Sequence, residues 1–127
     1  MNLNLRTGRV ADSKTCGAIC YEAFRTISQA HNFPPDIPSP ELAERFLSWM
    51  LAHEQFYKVV AEVDGTIVGS NFLDERNAIY GIGPITVDPT RQNKSVGRRL
   101  MDAVMARVIS QKAPGVRLVQ AAFHNRS

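Results

Sequence analysis

The sequence predicts a mixed α/β (α+β) domain in which helices flank a largely antiparallel sheet. Apolar residues recur with helical or strand periodicity in the order β-α-α-β-β-β-α-β. A meander of three strands is followed by a strand–helix–strand crossover, and such a crossover joins parallel strands, so the sheet is expected to be mixed. The 127 residues contain no internal repeat and no linker. A single domain spanning 1–127 is therefore expected.

The first half of the chain supplies one strand and two helices. Asn2–Thr7 is the predicted first strand, and Asp12 or Ser13 is expected to cap the helix that follows. This helix must end before His31–Pro38, because three prolines in this segment cannot continue it. Ser39 is expected to cap the second helix, with a proline at its first position. The predicted buried stripe of that helix consists of Leu42, Phe46, Trp49 and Met50.

Three strands are predicted next in the chain. Phe56–Val63 and Thr66–Leu73 are rich in β-branched residues, and Asp64-Gly65 between them is a strong hairpin signal. A polar turn follows, and then Ile79–Val87. This third strand of the meander is interrupted by glycine and proline, which fit a bend or a bulge. The interrupting residues are Gly81, Gly83 and Pro84.

The last two predicted elements are a helix and a strand. Ser95–Lys112 keeps the helical period and ends at an Ala-Pro-Gly sequence. Val116–Phe123 is an almost continuous apolar run, a pattern that favours a strand buried on both faces. The predicted apolar face of the helix consists of Val96, Leu100, Met101, Val104 and Val108.

Composition excludes several classes of protein. Apolar residues make up 44% of the chain and charged residues 21%, with a net charge of +3, as in an ordinary soluble domain. No apolar run is long enough to span a membrane, and a signal peptide is not expected from the N-terminal residues. Cys16 and Cys20 are too few for a disulfide scaffold and read as core residues of a cytoplasmic protein. No histidines and carboxylates cluster at metal-ligand spacing, so no metal is expected.

A basic stretch at the start of the last helix carries the main functional signal. Arg91, Lys94, Arg98 and Arg99 occur in a segment without any acidic residue. Positive side chains oppose the dipole at a helix N-terminus unless an anion binds there, and phosphate is the usual anion. A solvated basic face is the alternative. A Walker loop is excluded because Asp88 stands where its first glycine should be, and no G-x-G-x-x-G motif is present.

This stretch resembles the pyrophosphate loop of the GCN5-related N-acetyltransferase (GNAT) superfamily. The family motif is Gln/Arg-x-x-Gly-x-Gly/Ala after a strand that ends in Val-x-Pro. Here Val87-Asp88-Pro89 is followed by Gln92-Asn93-Lys94-Ser95-Val96-Gly97, with Ser95 in place of the first glycine. The order of elements also resembles that of the family from the first strand to the fifth. In the family a helix and two strands follow, whereas this sequence stops at Ser127, so the chain is expected to be a C-terminally truncated domain or one whose remainder lies on another chain.

The resemblance implies that acetyl-CoA is bound as acyl donor. Its pantetheine arm would pair with the backbone at Ile85, Thr86 and Val87, and Gly81, Gly83 and Pro84 would help this strand to splay away from the fifth. Asn125 matches an asparagine that often contacts the cofactor. The diphosphate would lie on the loop formed by Gln92, Asn93, Lys94, Ser95, Val96, Gly97 and Arg98.

The implied reaction is transfer of an acetyl group to a primary amine, in a small molecule or a protein. A base or a water chain must remove the proton of the amine. Asp74, Glu75 and Tyr80 are weak candidates, as is His124, and solvated turn residues are the alternative for the two carboxylates. The loop between the first two helices would contribute His31, Phe33 and Asp36 to the acceptor site.

Two other functions compete with this interpretation. One is a non-catalytic acyl-CoA-binding or sensory module that keeps the loop without the chemistry. The other is nucleic-acid binding by the basic stretch, which is disfavoured because no aromatic residue there could stack on bases. No membrane partner is expected. The strand Val116–Phe123 would need cover on both faces, so a homodimer or a higher homo-oligomer is predicted.

Overall fold

One sheet organises the part of the chain that the computed structural model describes, which comprises residues 2–30, 39–91 and 94–118. Two short 3-10 helices, Val10–Asp12 and Pro89–Arg91, precede the first and the last α-helix. In chain order the other elements are β1 Leu3–Thr7, α1 Ser13–Ala30, α2 Pro40–Ala52, β2 Phe56–Val63, β3 Thr66–Asp74, β4 Ile79–Ile82, β5 Thr86–Val87, α3 Lys94–Ser110 and β6 Gly115–Leu118.

The sheet is mixed and largely antiparallel, as predicted. The strands lie in the order β1-β2-β3-β4-β6, and β5 pairs with β3 beside this path. The β1–β2, β2–β3, β3–β4 and β3–β5 pairs are antiparallel, whereas β4 and β6 are parallel. The parallel pair is the one that α3 connects, as expected for a strand–helix–strand crossover.

The hairpin between β2 and β3 forms at the predicted position. Asp64 and Gly65 both have positive φ, of 52° and 84°. A two-residue turn with positive φ at both positions matches the right-handed twist of the flanking strands. This turn fixes the register in which Val63 faces Thr66.

Helices cover both faces of the sheet and enclose two apolar clusters. On one face, α3 buries Val96, Leu100 and Val104 against Val59 and Val68 of β2 and β3. Of the predicted apolar face of α3, Val108 is also buried and Met101 is half-buried. On the opposite face, α1 and α2 pack over Val60 and Phe72, and this cluster includes both cysteines.

The second helix begins as predicted but buries a different face. Ser39 Oγ accepts a hydrogen bond from Leu42 N at 3.2 Å, and Pro40 is the first helical residue. The predicted stripe is wrong at three of its four positions, because Leu42, Phe46 and Trp49 are 44%, 44% and 46% exposed. The buried residues of α2 are Ala43, Leu47, Met50 and Leu51.

A close approach between α1 and α2 explains this rotation. A Cβ added at Gly17 would lie 2.6 Å from Glu44 Cα and 3.2 Å from the Ala43 carbonyl carbon. The backbone of α2 can come this close to α1 only because residue 17 has no side chain, and the neighbouring buried residue of α2, Ala43, is small. The small side of α2 therefore faces α1, and the bulkier Phe46 and Trp49 lie outside.

The start of α1 is fixed by an ion-pair network rather than by a simple cap. The Arg6 guanidinium donates to both oxygens of Asp12 at 2.9 Å and lies 3.1 Å from Glu62 Oε2. Asp12 Oδ2 also accepts from Arg9 N at 2.8 Å, and Ser13 Oγ donates to the Val10 carbonyl. The hydrogen bond from Arg6 lowers the pKa of Asp12, so this buried carboxylate stays charged.

The last strand departs from its prediction within the described residues. The observed strand is Gly115–Leu118, so three residues of the predicted Val116–Phe123 lie in the described part, and two of them, Arg117 and Leu118, are exposed. Val116 packs against the cluster under α3, but the opposite face of the strand carries an arginine. The prediction that both faces are buried is therefore wrong for this part of the strand, because α1 and α2 do not extend over it.

Candidate functional site

A one-residue bulge divides the predicted strand Ile79–Val87 into β4 and β5. Ile82 faces Leu73 and Thr86 faces Ser70, so three residues on this side oppose two on β3. The extra residue lies within 83–85, where Gly83 has a φ of 116° and the Gly83–Pro84 peptide is cis. The predicted bend or bulge therefore lies at Gly83 and Pro84, whereas Gly81 pairs regularly with Asp74 in β4.

Asn71 supports this bulge from within the core. Its side chain is fully buried, and its Oδ1 accepts from Phe72 N at 2.9 Å while its Nδ2 donates to the Leu100 carbonyl at 3.3 Å. The carbonyl of Phe72 accepts from Gly83 N at 2.9 Å. Asn71 therefore satisfies a backbone amide beside the bulge and ties β3 to α3. Sequence analysis did not identify this residue.

The bulge leaves one edge of β5 facing away from β3. Asp88 N donates to the Val68 carbonyl at 2.8 Å, and Val87 is the Cα partner of Gly69. Backbone groups alternate in an antiparallel pair, so the N–H and C=O of Val87 point to the other edge. That edge is the one from which an extended ligand could pair with the strand.

β4 and β5 have different neighbours within the described residues. β4 pairs in parallel with β6, from Ile79 and Gly115 to Ile82 and Leu118, whereas β5 pairs with β3. Leu118 is the last described residue of β6, so the predicted splay beyond it lies outside the described residues and stays a prediction.

The basic stretch lies where β5 leads into α3. Asp88 Oδ1 accepts from Thr90 N at 2.9 Å and from Thr90 Oγ1 at 2.8 Å, which turns the chain out of the sheet. The first turn of α3 contains no acidic residue. Val96 anchors this turn because its side chain is buried in the core under α3. A helix N-terminus carries a partial positive charge from the helix dipole, and this charge attracts anions.

Gly97 leaves one side of this turn open. A Cβ added to Gly97 would meet no heavy atom within 4 Å among the described residues. The glycine is therefore not required by packing within the described part of the protein, and a ligand could approach the helix backbone there. Ser95 and Arg98 are exposed beside it.

The three catalytic candidates have different surroundings. Asp74 is bound by Arg76 at 2.7 and 2.9 Å, and this hydrogen bonding lowers the pKa of Asp74. Glu75 is bound by Arg107 of α3 at 2.7 and 3.1 Å. Tyr80 packs against the cluster under α3. Both carboxylates thus form ion pairs with arginine, which favours the alternative interpretation of Asp74 and Glu75 as turn residues without a catalytic role. Asp74 remains partly accessible to solvent.

Several predicted site residues lie outside the described residues. They are His31, Phe33, Asp36, Gln92, Asn93, His124 and Asn125. The side chain of Lys94 is likewise not described. Their predicted roles stay predictions.

The described residues offer neither a metal site nor a membrane-spanning helix. Within 2–30, 39–91 and 94–118, no group of three or more His, Cys, Asp or Glu residues could hold a metal ion. Among the helices of the same residues, none is both long enough and apolar enough to cross a membrane. Cys16 and Cys20 are fully buried free thiols, and burial raises their pKa values to about 11 and about 12.

Solved structures share this architecture. A GNAT family acetyltransferase from Brucella melitensis in complex with acetyl-CoA superimposes with a TM-score of 0.73 at 22% identity, covering 98% of this chain and 80% of that one. The PaiA N-acetyltransferase of Thermoplasma acidophilum in complex with coenzyme A gives 0.72 at 16% identity, covering 98% and 83%. A predicted acetyltransferase from Clostridium acetobutylicum with acetyl-CoA gives 0.69 at 14%, covering 97% and 84%.

Sequence comparison gives a clear result at the level of the family. No curated protein matches this chain. The family model described as "Acetyltransferase (GNAT) family" matches residues 21–127. This segment runs from within α1 through the bulge and the basic stretch to the end of the chain. The chain therefore belongs to the GNAT acetyltransferase family.

Proposed function

We propose that the chain transfers an acetyl group from acetyl-CoA to a primary amine. The observation that carries this proposal is the juxtaposition, within the described residues, of the edge of β5 that faces away from β3 and the acid-free N-terminus of α3. An extended pantetheine arm needs backbone partners, and a diphosphate needs amides and positive charge. Structures of similar fold were solved with acetyl-CoA or coenzyme A bound, which supports the same donor here.

The proposed donor site uses backbone groups for most of its contacts. Val87 would pair with pantetheine through its backbone, which faces away from β3, and Ile85 and Thr86 are further proposed contacts of the arm. Asn125 is a further proposed contact. The diphosphate would lie on the backbone of Gln92, Asn93, Lys94, Ser95, Val96 and Gly97, with Arg98 adding charge.

The reaction needs a neutral amine and a stabilised oxyanion. The amine nitrogen attacks the thioester carbonyl carbon, the C–S bond breaks, and the proton lost by the amine ends on the CoA sulfur or in water. Backbone N–H groups near the bulge are proposed to stabilise the oxyanion. Asp74 is a poor base because its pKa is lowered by Arg76, so a water chain is the better candidate for proton removal.

The donor site can be tested by calorimetry with CoA and with pantetheine, which lacks the diphosphate. We expect most of the affinity to require the diphosphate. Equal affinity for the two ligands would contradict the proposal. The variant Arg9→Gln should leave the affinity for CoA unchanged, because Arg9 is an exposed arginine at the opposite edge of the sheet.

A non-catalytic acyl-CoA-binding module is the second candidate function. The observation that favours it is that Asp74 and Glu75 are both held in ion pairs with arginine. Release of CoA from acetyl-CoA in the presence of a panel of amines separates the two functions. CoA binding without amine-dependent release would identify the module, whereas amine-dependent release would identify the enzyme.

We also propose a homodimer or a higher homo-oligomer built through the last strand, in the cytoplasm. Leu118 on β6 is 41% exposed, and this exposed apolar side chain supports an interface in which a second chain covers the strand. Light scattering at micromolar concentration should give about twice the 14.1 kDa of the chain or more. Leu118→Lys and Phe123→Asp should each disrupt the assembly or the fold. A cooperative, soluble monomer would contradict this proposal.

A further inference from the structure

A row of aligned residues crosses four strands on the α2 side of the sheet. Asp74 of β3 is the Cα partner of Phe56 on β2 and of Gly81 on β4, and Gly81 is the partner of Arg117 on β6. Arg76, which is bound to Asp74, stacks over the ring of Trp49 at 5.3 Å, and this contact places the row beside α2.

Gly81 lets the two charged residues of this row approach each other. A Cβ added to Gly81 would lie 3.7 Å from Asp74 Cβ and 4.0 Å from Arg117 Nε. The Arg117 side chain therefore crosses the glycine toward β3, and Gly81 is buried beneath its neighbours. A larger residue at position 81 would compete for the space that Arg117 occupies.

The result is a surface of two guanidinium groups around one carboxylate. We call Asp74, Arg76 and Arg117 the charged platform. Asp74 is already bound by Arg76, and no carboxylate of the described residues lies within 4.0 Å of the Arg117 guanidinium. The platform thus carries one net positive charge, and Arg117 is exposed and able to accept an anionic partner.

The platform adjoins the proposed reaction centre. Gly81 and the bulge at Gly83 are two residues apart on the same chain segment, which corresponds to about 7 Å along a strand. The exposed indole of Trp49 borders the platform on the α2 side, and Ile79 is exposed at the start of β4, two residues before Gly81. An amine that reaches the thioester from this face would pass the platform.

We propose that the charged platform selects acceptor amines that also carry an anionic group, either a carboxylate or a phosphate. Both anions match the planar fork of a guanidinium, and Arg117 offers such a fork. Asp74 would meet the ammonium end before deprotonation. Cationic acceptors such as polyamines would be repelled by the net charge. This inference rests on the proposed acetyltransferase function.

The test compares amines that share a two-carbon spacer. β-Alanine carries a carboxylate, O-phosphoethanolamine a phosphate, ethanolamine a neutral hydroxyl and ethylenediamine a second amine. We expect kcat/KM for CoA release to be at least tenfold higher for one or both anionic amines than for ethanolamine, and lowest for ethylenediamine. The better of the two anionic amines identifies the class. Equal turnover of ethanolamine or ethylenediamine would overturn the proposal.

Variants of Arg117 test the residue itself. Arg117→Gln should remove the preference for anionic amines, and Arg117→Lys should keep part of it because the charge remains. Arg9→Gln removes one arginine at the far edge of the sheet and should leave the preference unchanged. Thermal unfolding of each variant checks the fold. A preference that survives Arg117→Gln in a folded protein would overturn the proposal.

A binding experiment separates this inference from the proposed function. The same amines are titrated into the CoA-saturated and the CoA-free protein while the amide signals of Gly81 and Arg117 are followed by NMR. We expect saturable shifts with at least one anionic amine, absent for ethanolamine and absent in Arg117→Gln. Missing shifts overturn the platform even if CoA binds. Shifts in a protein that fails to bind CoA would support the platform and refute the acetyltransferase proposal.

Discussion

Replacing Gly97 by alanine should change stability and CoA binding in opposite directions. Gly97 lies in the first turns of α3, and an added Cβ meets no heavy atom within 4 Å among the described residues. Alanine is more favourable than glycine in a helix by about 0.5–1 kcal/mol. We therefore expect the free energy of unfolding to rise by this amount. For a domain of this size the midpoint temperature should rise by about 2–5 °C.

The same methyl group should weaken CoA binding. If the diphosphate lies against the backbone of this turn, a Cβ at Gly97 stands in its approach and lengthens hydrogen bonds from the amides to charged oxygens. Such bonds contribute about 1.5–3 kcal/mol each. A partial loss of about 1–2 kcal/mol corresponds to a 5- to 30-fold weaker affinity. Gly97→Val should weaken binding further.

Calorimetry for CoA and urea unfolding of the free protein measure the two effects. Gly69→Ala is the matched control, because a Cβ there would lie 2.7 Å from the Thr86 carbonyl oxygen and 3.1 Å from Leu100 Cδ1. This control should destabilise the protein. Loss of stability in Gly97→Ala would show that the space is not open. Gain of stability with unchanged CoA affinity would show that the diphosphate does not lie against this turn.

Three further outcomes are expected. Arg98→Ala should weaken CoA by roughly 1–3 kcal/mol in calorimetry while leaving pantetheine affinity unchanged; equal loss for both ligands would argue against a diphosphate contact. Asp12→Asn should lower the free energy of unfolding at pH 7 by about 1.5–3 kcal/mol, because Asp12 binds Arg6. Since the pKa of Asp12 is lowered in the folded protein, this stabilisation is complete above the unfolded value near 4 and is lost as pH falls through the folded value. Urea titrations should therefore show the difference shrinking in acid, and a constant difference would contradict it. Cys16 and Cys20 should resist iodoacetamide at pH 8 in the native protein and react after unfolding, as mass spectrometry can show; rapid native labelling would mean that α1 opens readily.

Local signals were sufficient to predict most of the elements. The Asp64-Gly65 turn demands positive φ at both positions, and this requirement is visible in two residues. The cap at Ser39 depends on one side chain and one nearby amide. Such interactions join residues that are neighbours in sequence, so a short segment is enough to predict them.

The buried face of α2 could not be predicted in the same way. Leu42, Phe46 and Trp49 form one apolar stripe, and Ala43, Leu47 and Met50 form another beside it. Periodicity shows that a helix has an apolar stripe but does not choose between two. The choice depends on the contact with Gly17, which lies on another helix.

Part of the candidate site was likewise invisible in the sequence. The glycine and proline residues at 81–84 indicated a bulge, but Asn71 supports it through Leu100, 29 residues away in the chain. The alignment of Asp74 with Arg117 also depends on two strand pairings. Both features are consequences of topology, which a single sequence without its fold does not display.

The two faces of α2 differ in how freely they can be substituted. The inner face is constrained, because Ala43 and Leu47 must fit against α1 and the sheet. The outer face holds Leu42, Phe46 and Trp49 half in solvent, so substitutions there change the free energy of unfolding far less than substitutions in the core. New side chains can therefore accumulate beside the charged platform while the scaffold keeps its stability. Mutations on the outer face of α2 can thus change the surface beside the charged platform, and each mutated protein along the way still folds.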